Sequence, residues 1–329
     1  MISAQVPIVS GILCTYSRSA LLRRVLRSLS EQTLPRNQFE IIIVDDGSSD
    51  DTKGVVEEFM GHIPLRYSYQ ENAGLGAAKN RGLSLARGEI VVFLDDDDVA
   101  DPRLFEEHLR THRRYPQSEY AVLGHTDIHP DHADRPLMHF VTKVGHYLFA
   151  YSDLKDGQVL DYTYFWGGRS SCKREFLLRY GFFDPLFRFG CEDIELGYRL
   201  SKHGLCVIYN RRARSVMIRN IDFDSFCQRL TAQGESQYRF SRLHPAPEVQ
   251  RWTEMIGAKE AWVKIAPVYA TLLRSARELD RIANLRMDAR IPLDHVTIAL
   301  LHGAYSNASR ACKLKGIHQG RLSDRQHEE

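Results

Sequence analysis

The sequence predicts an α/β chain built on a doubly wound, mostly parallel sheet, with a helical extension at its carboxyl end. Three observations carry this expectation. Strand and helix patterns alternate four times within the first 110 residues, the signature of a parallel sheet covered on both faces. The strand candidates are near-continuous apolar runs such as Ile90-Val91-Val92-Phe93-Leu94, as expected of strands buried on two sides. From about Phe226 onward the periodicity is helical only.

Taken in order, Val6 to Leu13 reads as the first strand, with Cys14-Thr15-Tyr16-Ser17 at its carboxyl end. Ser17 or Ser19 can cap a helix whose apolar face is Leu21, Leu22, Val25, Leu26 and Leu29. Phe39 to Val44 is the second strand and ends in Asp45-Asp46-Gly47, after which Asp50 or Asp51 caps a helix running to about Met60. Leu65 to Tyr69 is a short strand. The turn Glu71-Asn72-Ala73-Gly74-Leu75-Gly76 leads into a helix from about Ala77 to Ala86, and the Ile90 strand follows. After Pro102 a helix runs to about Tyr115, and Tyr120 to Gly124 is a further strand. Gly124 to Gly157 reads as an irregular loop rich in His, Pro and Asp. The spacing of His125, Asp127, His129, Asp131 and His132 matches no common metal site. Glu192-Asp193 opens a helix, which acidic residues at that end favour, and Cys206 to Tyr209 is the last strand. Two helices follow, Glu260 to Arg286 with a break at Pro267 and Pro292 to Lys313. They suit a subdomain packed on the core better than a pair lying on a membrane. The tail from Gln319 is expected to fray.

Composition narrows the classes. A net charge of +2 over 329 residues excludes neither a nucleic-acid nor a membrane partner and argues for neither, and no nucleic-acid partner is expected. The segment from Phe226 carries 16 Lys and Arg against 11 Asp and Glu, a net of +5, which leaves −3 for the part before it. That tail tilts towards an anionic acceptor or membrane face. Six cysteines without a CxxC pair read as free thiols of a reducing cytoplasm. No signal peptide opens the sequence, and no apolar run approaches the roughly 20 residues of a membrane helix. The expected location is cytoplasmic, with peripheral contact at the inner membrane face as an option.

The chemistry centres on Asp95-Asp96-Asp97-Asp98, where the Ile90 strand must end. Four adjacent carboxylates repel one another, and burial worsens the repulsion. They need a compensating cation, and hard oxygen donors select magnesium, manganese or calcium. Taken alone, the run fits a solvated cap of the following helix equally well. Three strand ends (Cys14-Thr15-Tyr16, Asp45-Asp46 and the aspartate run) should converge on one crevice beyond the sheet. The dinucleotide glycine fingerprint is missing after the first strand, which excludes a nicotinamide or flavin protein.

Across residues 6 to 225 the sequence resembles inverting family 2 glycosyltransferases with a GT-A type fold. The resemblance rests on Thr15-Tyr16-Ser17-Arg18, Val44-Asp45-Asp46-Gly47-Ser48-Ser49-Asp50, Asn72-Ala73-Gly74 with Lys79-Asn80-Arg81-Gly82, Phe93-Leu94-Asp95-Asp96-Asp97-Asp98, and Glu192-Asp193. It implies a GT-A domain over 1–225, with a Rossmann-like nucleotide-binding half at 1–110 and an acceptor half at 111–225, followed by a helical subdomain at 226–329. It implies a nucleoside diphosphate sugar donor, UDP-linked or dTDP-linked, and a saccharide, lipid-linked or other hydroxyl acceptor. Cys14, Thr15, Tyr16, Arg18, Asp46, Asn72, Lys79, Asp95 and Asp96 would bind the nucleotide, with Tyr16 against the base and Asp46 on its imide. Asp97, with Asp95, would hold manganese or magnesium. Asp193 would be the general base, and Trp166, Gly167, Gly168 and Glu192 would line the donor-sugar and acceptor side. Two departures stand out. The family often has a metal-binding His after the last strand where this sequence has Val216-Met217-Ile218-Arg219, so Arg214 or Arg219 could instead neutralise the diphosphate. Lys79 replaces the usual Arg before Asn80. The competing readings are a non-catalytic nucleotide-sugar-binding protein, a sugar nucleotidyltransferase and a metal-dependent hydrolase.

Overall fold

A computed structural model describes residues 6–328. The chain divides into two compact units. The first comprises the residues up to His129 with Asp153–Arg188 and Glu192–Arg219; the second comprises Pro130–Ser152, Phe189–Cys191 and everything from Asn220.

Among the described residues, nine strands form one sheet in the first unit: β1 (Val9–Thr15), β2 (Phe39–Asp45), β3 (Leu65–Tyr69), β4 (Ile90–Leu94), β5 (Asp98–Ala100), β6 (Tyr120–Ile128), β7 (Val159–Leu160), β8 (Ser170–Lys173) and β9 (Cys206–Met217). Their order is β3-β2-β1-β4-β8-β6-β9-β5, with β7 pairing β9. The run β3-β2-β1-β4 is parallel throughout. All seven residues of β1 and of β2 are buried, which is why these strands read as unbroken apolar runs. Antiparallel β8 joins β4 to β6, and the sheet becomes mixed from there on. Strand order reverses between β1 and β4, and the carboxyl ends flanking such a reversal are where open α/β sheets receive ligands.

The helices differ from expectation in instructive ways. The first helix, Ser19–Ser30, has Arg18 at its N-cap and no local side-chain cap. Asp50 from another loop accepts the Ser19 amide at 2.8 Å instead. A cap supplied across the fold leaves no local sequence signal.

Two strands are longer than the sequence suggested. β6 continues to Ile128, and β9 runs through the arginine-rich stretch to Met217. They pair in parallel on both sides of an irregularity between Leu123 and His125. Gly124 sits at that irregularity, and a Cβ there would lie 2.7 Å from the Ala213 carbonyl oxygen. Paired backbone thus extends through a segment whose charges and short apolar run disguised it.

In the second unit every long element is helical. The final helix spans His295–Glu328, well past the expected end at Lys313 and through the tail expected to fray. Packing accounts for this. Leu314 and Ile317 join Met255 and Ala258 in a small core. A Cβ on Gly316 would sit 1.9 Å from the Thr231 carbonyl oxygen, and one on Gly234 would sit 2.2 Å from that of Lys313. Missing side chains let the helices Phe223–Leu243 and His295–Glu328 cross backbone to backbone. Among the described residues, no helix is long and apolar enough to cross a membrane.

Gly316→Ala tests this crossing. Helix propensity alone would favour Ala by about 0.8–1 kcal/mol, whereas overpacking costs about 1–3 kcal/mol. Urea unfolding should show net destabilisation. Stabilisation by the propensity amount would mean that the helices do not approach this closely.

Candidate active site

The first unit holds every residue that the resemblance assigns to the site. β4 delivers Asp95 to Asp98 at its carboxyl end, next to the end of β1. Asp96, Asp97 and Asp98 are buried, at 5%, 4% and 6% exposure, so this is no solvated loop. Three guanidiniums surround the run. Arg18 lies 2.7 Å from Asp96 and 3.7 Å from Asp97. Arg169 lies 3.4 Å from both Asp95 and Asp98. Arg219 Nε lies 2.8 Å from Asp97 Oδ2, an ion-pair contact without hydrogen-bond geometry. The sheet places Arg219 there: Met217 of β9 pairs with Asp98 of β5, and the Ile218 amide donates to the Asp97 carbonyl at 2.9 Å. Arg214, the other sequence candidate, pairs with Asp127 instead.

The carboxylates are not equivalent. Asp96 accepts from Thr15 Oγ1 at 2.9 Å and from Arg18 Nη1 at 2.7 Å. Burial still leaves its pKa above the ordinary value, although Arg18 opposes the shift. Asp98 Oδ2 accepts from Thr126 at 3.1 Å and from Ser215 at 3.2 Å. Its Oδ1 is buried without a hydrogen-bond partner. Burial pushes the Asp98 carboxyl up to about 7 against the pull of Arg169. Oxygens of Asp95, Asp97 and Asp98 lie within 4.8 Å of one another, and among the described residues no other such group of His, Cys, Asp or Glu occurs. An all-oxygen donor set with one buried, unpartnered carboxylate oxygen fits a hard divalent cation. His125 and Asp127 are engaged otherwise: His125 contacts Tyr209 Oη at 2.7 Å and Asp127 at 3.1 Å.

The second strand end organises a turn. Asp46 accepts from Gln70 Nε2 at 2.7 Å and from the amides of Ala73 and Gly74, both at 2.9 Å. Asn72 Nδ2 donates to the Asp46 carbonyl at 3.0 Å. Three bonds leave little of the carboxylate's acceptor capacity for a ligand. Gly74 has φ +92°, and a Cβ there would lie 3.0 Å from Arg188 Cα, so both conformation and space require glycine. Tyr16 presents its ring at 54% exposure beyond β1, while Cys14 and Thr15 are buried. Burial pushes the Cys14 thiol up to about 12, which keeps it protonated.

Opposite the aspartate run lies a second buried charge group. Lys79 donates to Glu192 at 3.0 Å, with both side chains almost wholly buried. Burial works against the charged lysine, but Glu192 and Asp193 outweigh it and leave its pKa raised. Asp193, on the first turn of the helix Glu192–Ser201, accepts the Gly167 amide at 2.8 Å. Burial and then the neighbouring Glu192 push its carboxyl up to about 6, against Lys79. The strip Trp166-Gly167-Gly168 passes between the two groups. A Cβ on Gly167 would lie 2.3 Å from Lys79 Nζ, and one on Gly168 would lie 2.0 Å from Asp95. Trp166 Nε1 donates to the Thr163 carbonyl at 2.8 Å.

The sequence reading missed Arg169, and it counted Asp98 in the acidic run without giving it a metal-holding role. Arg169 directly follows the Gly167-Gly168 pair, and that adjacency was the available signal. Nothing local marked Thr126 or Ser215, which reach Asp98 only through the pairing of β6 with β9.

A mixed sheet whose parallel half ends in acidic residues, with a buried carboxylate opposite them, defines an α/β protein that handles ligands beyond its strand ends. Residues 10–176 match the model of Glycosyl transferase family 2, and the chain belongs to that family. Validoxylamine A glucosyltransferase of Streptomyces hygroscopicus subsp. jinggangensis (strain 5008) is 32% identical over 234 residues, 64% of this chain and 55% of that protein. Putative glycosyltransferase EpsH of Bacillus subtilis (strain 168) is 35% identical over 149 residues, 42% of each chain. The chain therefore spans about half the length of the curated relatives it matches. The fold is shared with the mannosyltransferase PcManGT from Pyrobaculum calidifontis, solved with GDP-Man and Mn2+ (TM-score 0.59, 19% identity, 96% of this chain and 88% of that one). It is shared too with S. aureus TarS 1-349 in complex with UDP (TM-score 0.53, 15% identity, 94% and 91%). The fold is of the GT-A type, as the sequence predicted.

Gly168→Ala tests the strip between the charge groups. Its methyl must displace the Asp95 carboxylate, so binding of a nucleoside diphosphate measured by calorimetry should weaken at least about tenfold, or about 1.4 kcal/mol, with circular dichroism unchanged. Undiminished binding would show that Asp95 takes no part in holding the ligand.

Proposed function

We propose that the chain transfers a sugar from a nucleoside diphosphate sugar to a hydroxyl acceptor, inverting the anomeric centre, with Asp193 as general base. The observation that supports this most is the separation of two acidic groups by the glycine strip. The aspartate run at Asp95–Asp98 is compensated by arginines, whereas Asp193 stands apart with its carboxyl raised to about 6. One group suits a diphosphate and its counter-ion, and the other suits a proton transfer.

The roles follow from chemistry. A carboxylate whose pKa is lifted towards neutrality is a stronger base yet remains ionised at pH 7, as deprotonation of a sugar hydroxyl requires. One base on the face opposite the leaving group gives direct displacement and inversion. Asp97 and Asp95, with Asp98 as a third oxygen donor, would hold manganese or magnesium, which supplies charge neutralisation for the leaving diphosphate. Arg18 and Lys79 add positive charge near the nucleotide, Tyr16 offers a ring for the base, and Asn72 shapes the turn beneath it. Asp46 retains limited acceptor capacity to select an imide, which favours uracil or thymine. TarS holds UDP and UDP-GlcNAc, while PcManGT holds GDP-Man; in this chain a base contact at Asp46 would choose the nucleotide class. Residues 1–225 would carry the reaction, and the helical part from 226, with its positive charge, would help to choose the acceptor.

Asp193→Asn should lower transfer by about 10²–10⁴-fold while leaving nucleoside diphosphate binding within twofold. Equal transfer by both proteins would remove Asp193 from the base role. In the unmodified enzyme kcat/KM should rise with pH through an apparent pKa near 6 and level off above it, since only the ionised carboxylate accepts the proton. A profile flat from pH 5 to 7 would contradict the assignment.

A further inference from the structure

We propose that Arg219 is a built-in cation of the aspartate run, so that a divalent metal enters this site only together with the nucleotide diphosphate. This inference rests on the transferase reading and concerns how that same site is loaded.

Charge governs how this site is loaded. Four carboxylates, Asp95 to Asp98, are gathered at the end of β4, and three guanidiniums, Arg18, Arg169 and Arg219, lie within 4.0 Å of them. The ligand-free cluster is therefore close to neutral overall. A divalent ion gains most from a site with several uncompensated carboxylates, and its attraction falls when fixed cations sit among the donors. Arg219 matters most because its Nε is 2.8 Å from Asp97 Oδ2, and Asp97 is one of the three carboxylates that could ligate a metal. Guanidinium and metal would compete for the same carboxylate.

The position of Arg219 is fixed by the fold. The Met217–Asp98 pairing of β9 with β5 and the bond from the Ile218 amide to the Asp97 carbonyl hold its backbone beside the aspartate run. The side chain is 26% exposed, so it can leave Asp97 for an incoming anion without unfolding anything. A diphosphate brings two or more negative charges. These would draw the guanidinium away from Asp97 and restore the charge balance a divalent ion requires. Arg219 then remains beside the diphosphate as a second cation. Arg18 cannot serve the same purpose, because its closer tie at 2.7 Å is to Asp96, which is also held by Thr15.

Manganese binding, followed by the electron paramagnetic resonance of the free ion, tests this without reference to catalysis. The wild-type protein should bind manganese at least tenfold more tightly with saturating UDP than without it. Arg219→Met should raise manganese affinity of the nucleotide-free protein at least tenfold, and Arg219→Lys should raise it less. Equal nucleotide-free affinities for wild type and Arg219→Met would overturn the proposal. Should Arg219→Met fail to fold, the wild-type comparison decides alone, and a ratio near one with and without UDP counts against it. If no nucleoside diphosphate alters manganese binding or binds by calorimetry, the transferase reading fails. The nucleotide-free comparison of the two proteins still judges Arg219 in that case.

Discussion

The rest of this structure depends on the burial of four consecutive carboxylates at the end of β4. An isolated buried carboxylate is costly, and a run of them is costlier because each disfavours ionisation of the next. The fold answers with arginines drawn from three distant places: Arg18 after β1, Arg169 before β8 and Arg219 after β9. Hydroxyls of Thr15, Thr126 and Ser215 complete the enclosure. Removing any one cation would leave a buried charge uncompensated, which costs more than the net worth of the pair. The mixed half of the sheet gains its purpose from this need. Antiparallel β8 and the long β9 carry two of the three arginines to the strand end where β4 leaves its aspartates.

Asp193 is held by different means. It sits at the start of a helix with its own lysine and glutamate neighbours, and a glycine strip separates it from the aspartate run. Two carboxyl environments in one unit are thus tuned separately. The run is tuned by guanidiniums, Asp193 by burial, Glu192 and Lys79. The division matches a reaction in which one partner leaves as an anion while the other must lose a proton.

Much of this was legible in the sequence, for physical reasons. Strands buried on both faces announce themselves as apolar runs, so β1 to β4 were readable within a few residues. Acidic strand ends were readable because consecutive carboxylates are improbable inside a fold without compensation. The compensation itself was far less legible. Arg169 and Arg219 act through strand pairing with partners up to about 120 residues away; the sequence offered Arg219 only as one of two candidates with Arg214, and Arg169 only by its place after two glycines. The same holds for the cap that Asp50 lends to Ser19 and for the helix beyond Lys313, which owes its order to glycines packed against another helix. Where the cause was local, the sequence sufficed; where it came from across the sheet, geometry had to supply it.

The most direct test of the central claim is a crystal structure with UDP and manganese, using anomalous scattering to locate the ion. The account predicts the ion at carboxylate oxygens of Asp97 and its neighbours, bridging to the diphosphate, with the uracil near Tyr16 and Asp46. A manganese ion bound elsewhere, at His125 and Asp127 for example, or a diphosphate lying away from the aspartate run, would contradict it.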